Sequence, residues 1–234
     1  MLINAVIQAR MSSNRLPGKS LRPILGKPML QYLLDRIQHC DQIDNIIIAT
    51  SEDVTDDPIA DYCIKNDLLM HRGSLRDVAG RFKSALDRYP ADGFVRVNGD
   101  SPLLDGKLVD KGISMFKEYV PDLVTNIFPR TFPKGQSVEV INSAAFAKVY
   151  ELMTAEEEFE HVTKYFYNHP NDFVIKSFTN PVDYSQIQLS VDTVGDMNMV
   201  TGIIAAMDKS HWIYGFEEIL EIRQSLIEDG YETS

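Results

Sequence analysis

Leu2-Ile3-Asn4-Ala5-Val6-Ile7-Gln8-Ala9-Arg10-Met11-Ser12-Ser13-Asn14-Arg15-Leu16-Pro17-Gly18-Lys19 opens the chain and decides its reading. Leu2–Gln8 is short and almost wholly apolar. Such a run, bounded by a turn-rich loop, reads as a buried strand of a parallel sheet. The loop that follows sets Arg10, Arg15 and Lys19 close together, with Ser12, Ser13 and Gly18 between them. Backbone N–H groups and the two hydroxyls donate to phosphate oxygens, and the three cations neutralise their charge. A solvated basic loop is the alternative. Its place after the first strand of an α/β pattern, where such folds bind ligands, favours a phosphate site.

Outward from this stretch, strands and helices alternate. Pro28–Cys40 carries Met29, Leu30, Leu33, Leu34 and Ile37 at helical spacing, with Pro28 in the first turn. Ile46–Thr50 reads as a second strand, and Asp56-Asp57-Pro58 opens a helix with Asp56 or Asp57 as its cap. Leu68–His71 is a third strand, followed by Arg72-Gly73-Ser74 and a helix through Tyr89. Phe94–Asn98 is a fourth strand, ending in Gly99-Asp100-Ser101-Pro102, and a helix runs from Asp105 to Tyr119. This alternation predicts an α/β fold built on a parallel, doubly wound sheet.

The rhythm then changes. Leu123–Thr125 and Val138–Ile141 read as strands on either side of a turn-rich Pro129–Gly135. Glu157–Asn168 reads as one helix, Val174–Phe178 as a strand, and the alternating Ile187–Asp192 as another. Helices follow over Val194–Met207 and, amphipathically, over Phe216–Ile227. Repeats, low-complexity tracts and linkers are absent from the sequence. The economical organisation is a single domain over 1–234, with roughly 126–180 as an elaboration.

A net charge of −11 argues against general nucleic-acid binding and against attraction to an anionic membrane. The cationic loop runs against that balance. No stretch approaches the ~20 apolar residues of a membrane span, and the start lacks a secretory pattern. Cys40 and Cys63 lack ligand spacing and read as buried thiols of a reducing compartment, which implies a cytoplasmic protein.

Asp100 and Asp192 each close a predicted strand. Carboxylates at the C-terminal ends of strands point into the crevice where such sheets bind ligands. Opposite a loop of three cations, the pair fits a divalent metal, and Mg²⁺ is usually held by one or two carboxylates plus substrate phosphates. The competing role for either residue is a helix N-cap. Arg72 and Arg81, flanking Ser74, reach the nucleotide or form helix-surface pairs. Glu158-x-x-His161 has a metal-like spacing in one copy only, so His161 reads as a substrate-side or interface histidine. Lys134 and Glu139 follow a turn where charge meets either an anionic substrate or solvent. Met197, Met199 and Met207 read as core. The phosphate-loop and dinucleotide signatures are both missing, which steers away from P-loop kinases and dehydrogenases.

Taken together, Ile7-Gln8-Ala9-Arg10-Met11-Ser12-Ser13-x-Arg15-Leu16-Pro17-Gly18-Lys19, Arg72-Gly73-Ser74-x-x-Asp77-Val78-x-x-Arg81, Gly99-Asp100-x-Pro102-Leu103-x-Asp105, Arg130-Thr131-x-Pro133-Lys134-Gly135, Glu160-His161-Val162-Thr163 and Val191-Asp192-Thr193 form an ordered series. The series resembles the CMP-sugar cytidylyltransferases that activate acylneuraminate and 3-deoxy-manno-octulosonate. Within them it is most similar to the spore-coat polysaccharide (SpsF-like) branch. The resemblance implies a Rossmann-like nucleotide-diphospho-sugar transferase fold with helices on both sheet faces and an inserted acceptor and dimerisation elaboration. It also implies CTP as substrate, Mg²⁺ as metal, a small acidic sugar as acceptor and a homodimer. The nucleotide-binding set on this reading is Gln8, Ala9, Arg10, Ser12, Ser13, Arg15, Lys19, Arg72, Ser74, Arg81 and Asn98. Asp100 and Asp192 take the metal; Arg10, Lys19 and Asp100 carry catalysis; Lys134, Glu139, Glu160 and His161 face the acceptor.

Three positions depart from the branch's pattern: Ser137 stands for Asp, Phe159 for Arg and Lys164 for Pro. All three lie in the acceptor half. The rival readings are a metal-dependent glycosyltransferase of the same architecture, for which Asn98-Gly99-Asp100 lacks the first Asp of an Asp-x-Asp pair, and a CTP-binding regulatory module.

Overall fold

Seven strands, all but one running the same way, carry the chain in the computed structural model, which describes residues 1–231. In chain order they are β1 (Ile3–Gln8), β2 (Asn45–Ser51), β3 (Leu69–Gly73), β4 (Gly93–Asn98), β5 (Leu123–Thr125), β6 (Glu139–Asn142) and β7 (Ile175–Ser177). Their order across the sheet is β3-β2-β1-β4-β6-β5-β7, and β6 alone is antiparallel to its neighbours. A short hairpin, Pro23–Ile24 with Lys27–Pro28, stands apart. The helices are α1 (Met29–Gln38), α2 (Asp57–Lys65), α3 (Val78–Arg88), α4 (Gly106–Tyr119), α5 (Ser143–Leu152), α6 (Glu156–Glu160), α7 (Lys164–Asn168), α8 (Val194–Ala205) and α9 (Phe216–Glu228). The expected mostly parallel α/β sheet with helices on both faces is borne out.

Alternation along each strand sorts the core. Ile3, Ala5 and Ile7 of β1 and Val95 and Val97 of β4 pack with Leu33, Ile59 and Ile113 of α1, α2 and α4. Val6 and Phe94 point the other way, onto Phe82, Phe146 and Phe166 of α3, α5 and α7. A third cluster joins the outer side of α1 (Met29, Tyr32) to α8 and α9. β1 is central, paired in parallel with β2 on one side and β4 on the other, so Gln8 lies level with Ala49 and Asn98. The chain winds outward from β1 through β2 to β3, then returns past β1 to begin β4. Such a reversal opens a crevice at the strands' C-terminal ends.

Two expectations are corrected, and one helix is added. Ile187–Asp192 is not a strand of the sheet. It crosses the strand ends and is held backbone to backbone, by the Lys134 N–H to Ile187 O (2.9 Å), the Leu189 N–H to Lys134 O (2.8 Å) and the Val191 N–H to Asp100 O (2.8 Å). Its alternation comes from Leu189 and Val191 being buried against the third cluster while their neighbours face outward. Glu157–Asn168 is two short helices rather than one. The buried Glu158 carboxylate accepts the N–H groups of Thr154 and Ala155 (3.0 and 3.1 Å), and the turn at His161 swings Val162 into the apolar cluster. α5 has no counterpart in the sequence reading; it buries only Ala145, Phe146 and Val149, a weak periodic signal.

Arg36 of α1, 1% exposed, fastens the C-terminal segment to the sheet domain. It donates to Leu104 O at 2.6 Å and to the carbonyls of His211 and Tyr214, and burial lowers its pKa to about 10. Arg36→Ala leaves three buried carbonyls without donors, each costing about 1–3 kcal/mol. The expected loss is about 3 kcal/mol or more, read as a Tm lowered by roughly 10 °C.

Candidate active site

Two strand ends meet closely where the crevice begins. Gly99, directly after β4, donates to Gln8 O at 2.8 Å, and a Cβ built there lies 2.6 Å from the same oxygen. Only glycine permits that approach. The loop after β1 closes on itself through the Gly18 N–H to Met11 O (2.9 Å), with Gly18 at φ 73°. Ser20 Oγ donates to Arg10 O at 3.1 Å, and Leu16 plugs into the third apolar cluster.

Asp56 is the loop's anchor. The sequence offers Asp56 or Asp57 as the cap of α2, and Asp56 occupies the cap position without a side-chain cap bond. One oxygen accepts the Met11 N–H at 2.6 Å, and the other accepts the N–H and hydroxyl of Ser51. The residue is fully buried. Nothing in the local pattern around Asp56 distinguishes an anchor from a cap, because the partner is 45 residues away.

The cations and carboxylates expected at the site come together. Lys19 Nζ lies 2.9 Å from Asp100 Oδ2, 3.2 Å from Asp192 Oδ1 and 2.7 Å from Val191 O. Arg15 pairs with Asp192 at 3.0 Å. Arg81 is 2% exposed; it donates to Ser74 O at 2.8 Å, while its Nε has no partner among the described residues. Burial lowers its pKa to about 10, and the nearby Arg10 pushes in the same direction against Asp56 and Asp77. These groups surround a cleft of about 380 Å³. Gln8, Ala9, Asn98 and Ser13 line it with Arg10, Arg15, Lys19, Arg81 and both aspartates, and Glu160 and His161 stand at its exposed rim. The Oδ1 of Asn98 is buried there with no donor among the described residues.

Other expected residues lie elsewhere. Arg72 is turned away from the cleft: it donates to Ser51 O (2.8 Å) and Asp53 O (3.1 Å) and pairs with Asp57 at 2.7 Å. Ser74 Oγ accepts the Asp77 N–H at 3.0 Å and shapes the turn before α3. Glu139 is neither solvated nor on the cleft wall; it is 1% exposed, paired with Arg96 at 2.7 Å and accepting the Tyr167 hydroxyl at 2.6 Å. Lys134 is exposed, and its backbone docks the 187–192 segment. Ser12 is half-buried and off the lining. Asn14, Ser20, Val78 and Gly99 line the cleft without having been singled out as ligand groups; Asn14 and Ser20 sit in or beside the quoted loop, where proximity was the available signal.

Both aspartates give an oxygen to one cation, the Lys19 ammonium, so their donor geometry suits a hard divalent ion. Among the described residues no three His, Cys, Asp or Glu side chains gather as a metal cage. Two carboxylates are what a site completed by phosphate oxygens requires.

The chain matches the family model described as Cytidylyltransferase over residues 4–228. It is 31% identical to the spore coat polysaccharide biosynthesis protein SpsF of Bacillus subtilis over 205 residues, covering 85% of this chain and 84% of that one. It is 34% identical to the 3-deoxy-manno-octulosonate cytidylyltransferase of Zea mays, covering 51% of this chain and 40% of that protein. A solved cytidylyltransferase from Leptospira borgpetersenii superposes with a TM-score of 0.92 at 28% identity, covering 97% and 96% of the two chains. The resemblance drawn from the ordered motifs is borne out.

Removing the Asp56 carboxylate orphans the half-buried Met11 N–H and the buried Ser51 N–H. Asp56→Ala is expected to lower stability by about 3 kcal/mol and to speed amide hydrogen exchange over residues 11–18 selectively. Exchange in that loop unchanged relative to β1 would show that other contacts hold it.

Proposed function

The chain belongs to the cytidylyltransferase family and is a CTP-dependent nucleotidyltransferase, and on that premise we propose that it transfers CMP from CTP to a sugar acid, releasing pyrophosphate, for surface polysaccharide or glycoconjugate synthesis. The observation that carries the proposal is the charge pattern of the cleft. Arg10, Arg15, Lys19 and Arg81 converge in a chain of net charge −11, facing two carboxylates at the mouth of a sheet crevice. That is the complement of a triphosphate with its metal.

In this reading the acceptor's hydroxyl attacks the α-phosphorus in line, the bond to the β-phosphate breaks, and pyrophosphate leaves. Lys19 and Arg10 hold the phosphates and offset charge developing on their oxygens, with Arg15 and Arg81 extending the cationic wall. Arg81 is fastened to the loop before α3 by its bond to Ser74 O, which preorganises it. Gln8 and Asn98, level with one another, offer amides to the ligand, and the free Asn98 oxygen calls for an N–H donor. Asp100 and Asp192 would hold Mg²⁺, which neutralises phosphate charge and polarises the reacting group when bound. Glu160 and His161 stand where an acceptor enters. The 126–180 elaboration exposes Leu152 and Val174, and a homodimer covering such residues belongs to the same reading.

The test is pyrophosphate release with CTP, UTP, ATP or GTP, with Mg²⁺ or EDTA, against a panel of sugar acids that includes 3-deoxy-manno-octulosonate. Release with CTP and one class of acid, abolished by EDTA, is the expected result. Release with a nucleotide other than CTP, or turnover undiminished by EDTA, would contradict it. Lys19→Ala should lower kcat by roughly 10²–10³-fold, the scale of one lost electrostatic donor at a transition state.

A further inference from the structure

We propose that Lys19 competes with the divalent cation for Asp100 and Asp192, so that metal enters this site in company with the triphosphate rather than ahead of it. The inference rests on the nucleotide and metal reading above and concerns how that site is loaded. An ammonium has three N–H donors. Those of Lys19 have three acceptors within 3.2 Å: Asp100 Oδ2, Asp192 Oδ1 and Val191 O. One oxygen of each carboxylate is therefore already committed to the ammonium, and the Asp192 oxygen is shared with Arg15 as well.

Charge and water access sharpen the competition. The two carboxylates face two cations, so the group carries no net negative charge to draw in a divalent ion. The Lys19 side chain is 12% exposed and the aspartates 29% and 27%, so solvent screens these pairs incompletely. A metal at the same oxygens would also lie within a few ångströms of the ammonium. Among the described residues no third acid or histidine gathers with the two aspartates to form a cage that would offset this. A triphosphate changes both sides of the balance: its oxygens give Lys19 and Arg15 new partners and give the metal the additional ligands it needs. Binding of metal and nucleotide is then mutually reinforcing, as linkage requires.

The experiment is calorimetric titration of Mn²⁺ into the wild type and Lys19→Met, with and without CTP, alongside thermal melts. Without CTP, Lys19→Met should bind Mn²⁺ at least tenfold more tightly than the wild type, and adding Asp192→Asn should remove the gain. With CTP, the wild type should bind Mn²⁺ at least tenfold more tightly than without it. Arg15→Met, which alters a largely exposed side chain, should shift Mn²⁺ binding in the same direction by a smaller factor and serves if Lys19→Met does not fold. Wild type that binds Mn²⁺ alone as tightly as the variants would overturn the competition. Failure of CTP with Mn²⁺ to raise the wild-type Tm would instead overturn the nucleotide reading beneath it.

Discussion

One ammonium group draws together three parts of the chain that are far apart in sequence. Lys19 reaches 81 residues to Asp100 and 173 residues to Asp192, joining the first loop, the end of the central strand pair and the segment before α8. The rest of the site depends on that meeting point. For Lys19 to arrive, the loop must be closed at Gly18 and held at Met11. For Asp100 to arrive, β4 must lie tightly against β1, which Gly99 permits. For Asp192 to arrive, the 187–192 segment must cross the strand ends instead of joining the sheet, and its backbone bonds to Lys134 and Asp100 keep it there. The ion pairs themselves are exchangeable; the backbone contacts that deliver them are not.

The charge of the cleft runs against the charge of the chain. The chain's net charge is −11, whereas the cleft gathers four basic side chains around two aspartates. Arg81 shows the cost. Its guanidinium is nearly inaccessible and its pKa is depressed by burial, and Asp56 and Asp77 partly offset the penalty. Asp56 thereby has two effects at once, tethering the loop through Met11 and lending negative potential to the cationic wall.

The buried pair of Arg96 and Glu139 is an outcome that neither alternative for Glu139, substrate or solvent, contains. Glu139 follows a turn and precedes a strand, a setting where charge normally meets solvent or substrate. In the fold it is sealed beneath α7, with Tyr167 donating to it and Arg96 neutralising it. Arg72 makes the same point in reverse: a basic residue beside a glycine turn looked like a phosphate contact, and the loop after β2 claimed it through two carbonyls and Asp57. Neither outcome has a local signature. Burial of a charge depends on what the chain places over it.

By itself the sequence determined the alternating strands and helices of the first half, the cationic loop after the first strand, the two aspartates and the family. These are properties of periodicity and of ordered motifs, in which each residue reports on its own neighbours. Tertiary structure alone decided that Asp56 anchors the loop, that Asp192 arrives on a crossing segment, that the helix expected over 157–168 breaks at His161, and that Glu139 is interior. The reason is that pairing between groups tens to hundreds of residues apart follows from strand order and chain crossing. A sheet brings strand ends together regardless of their separation in sequence, so the chemistry assembled there is written in the topology.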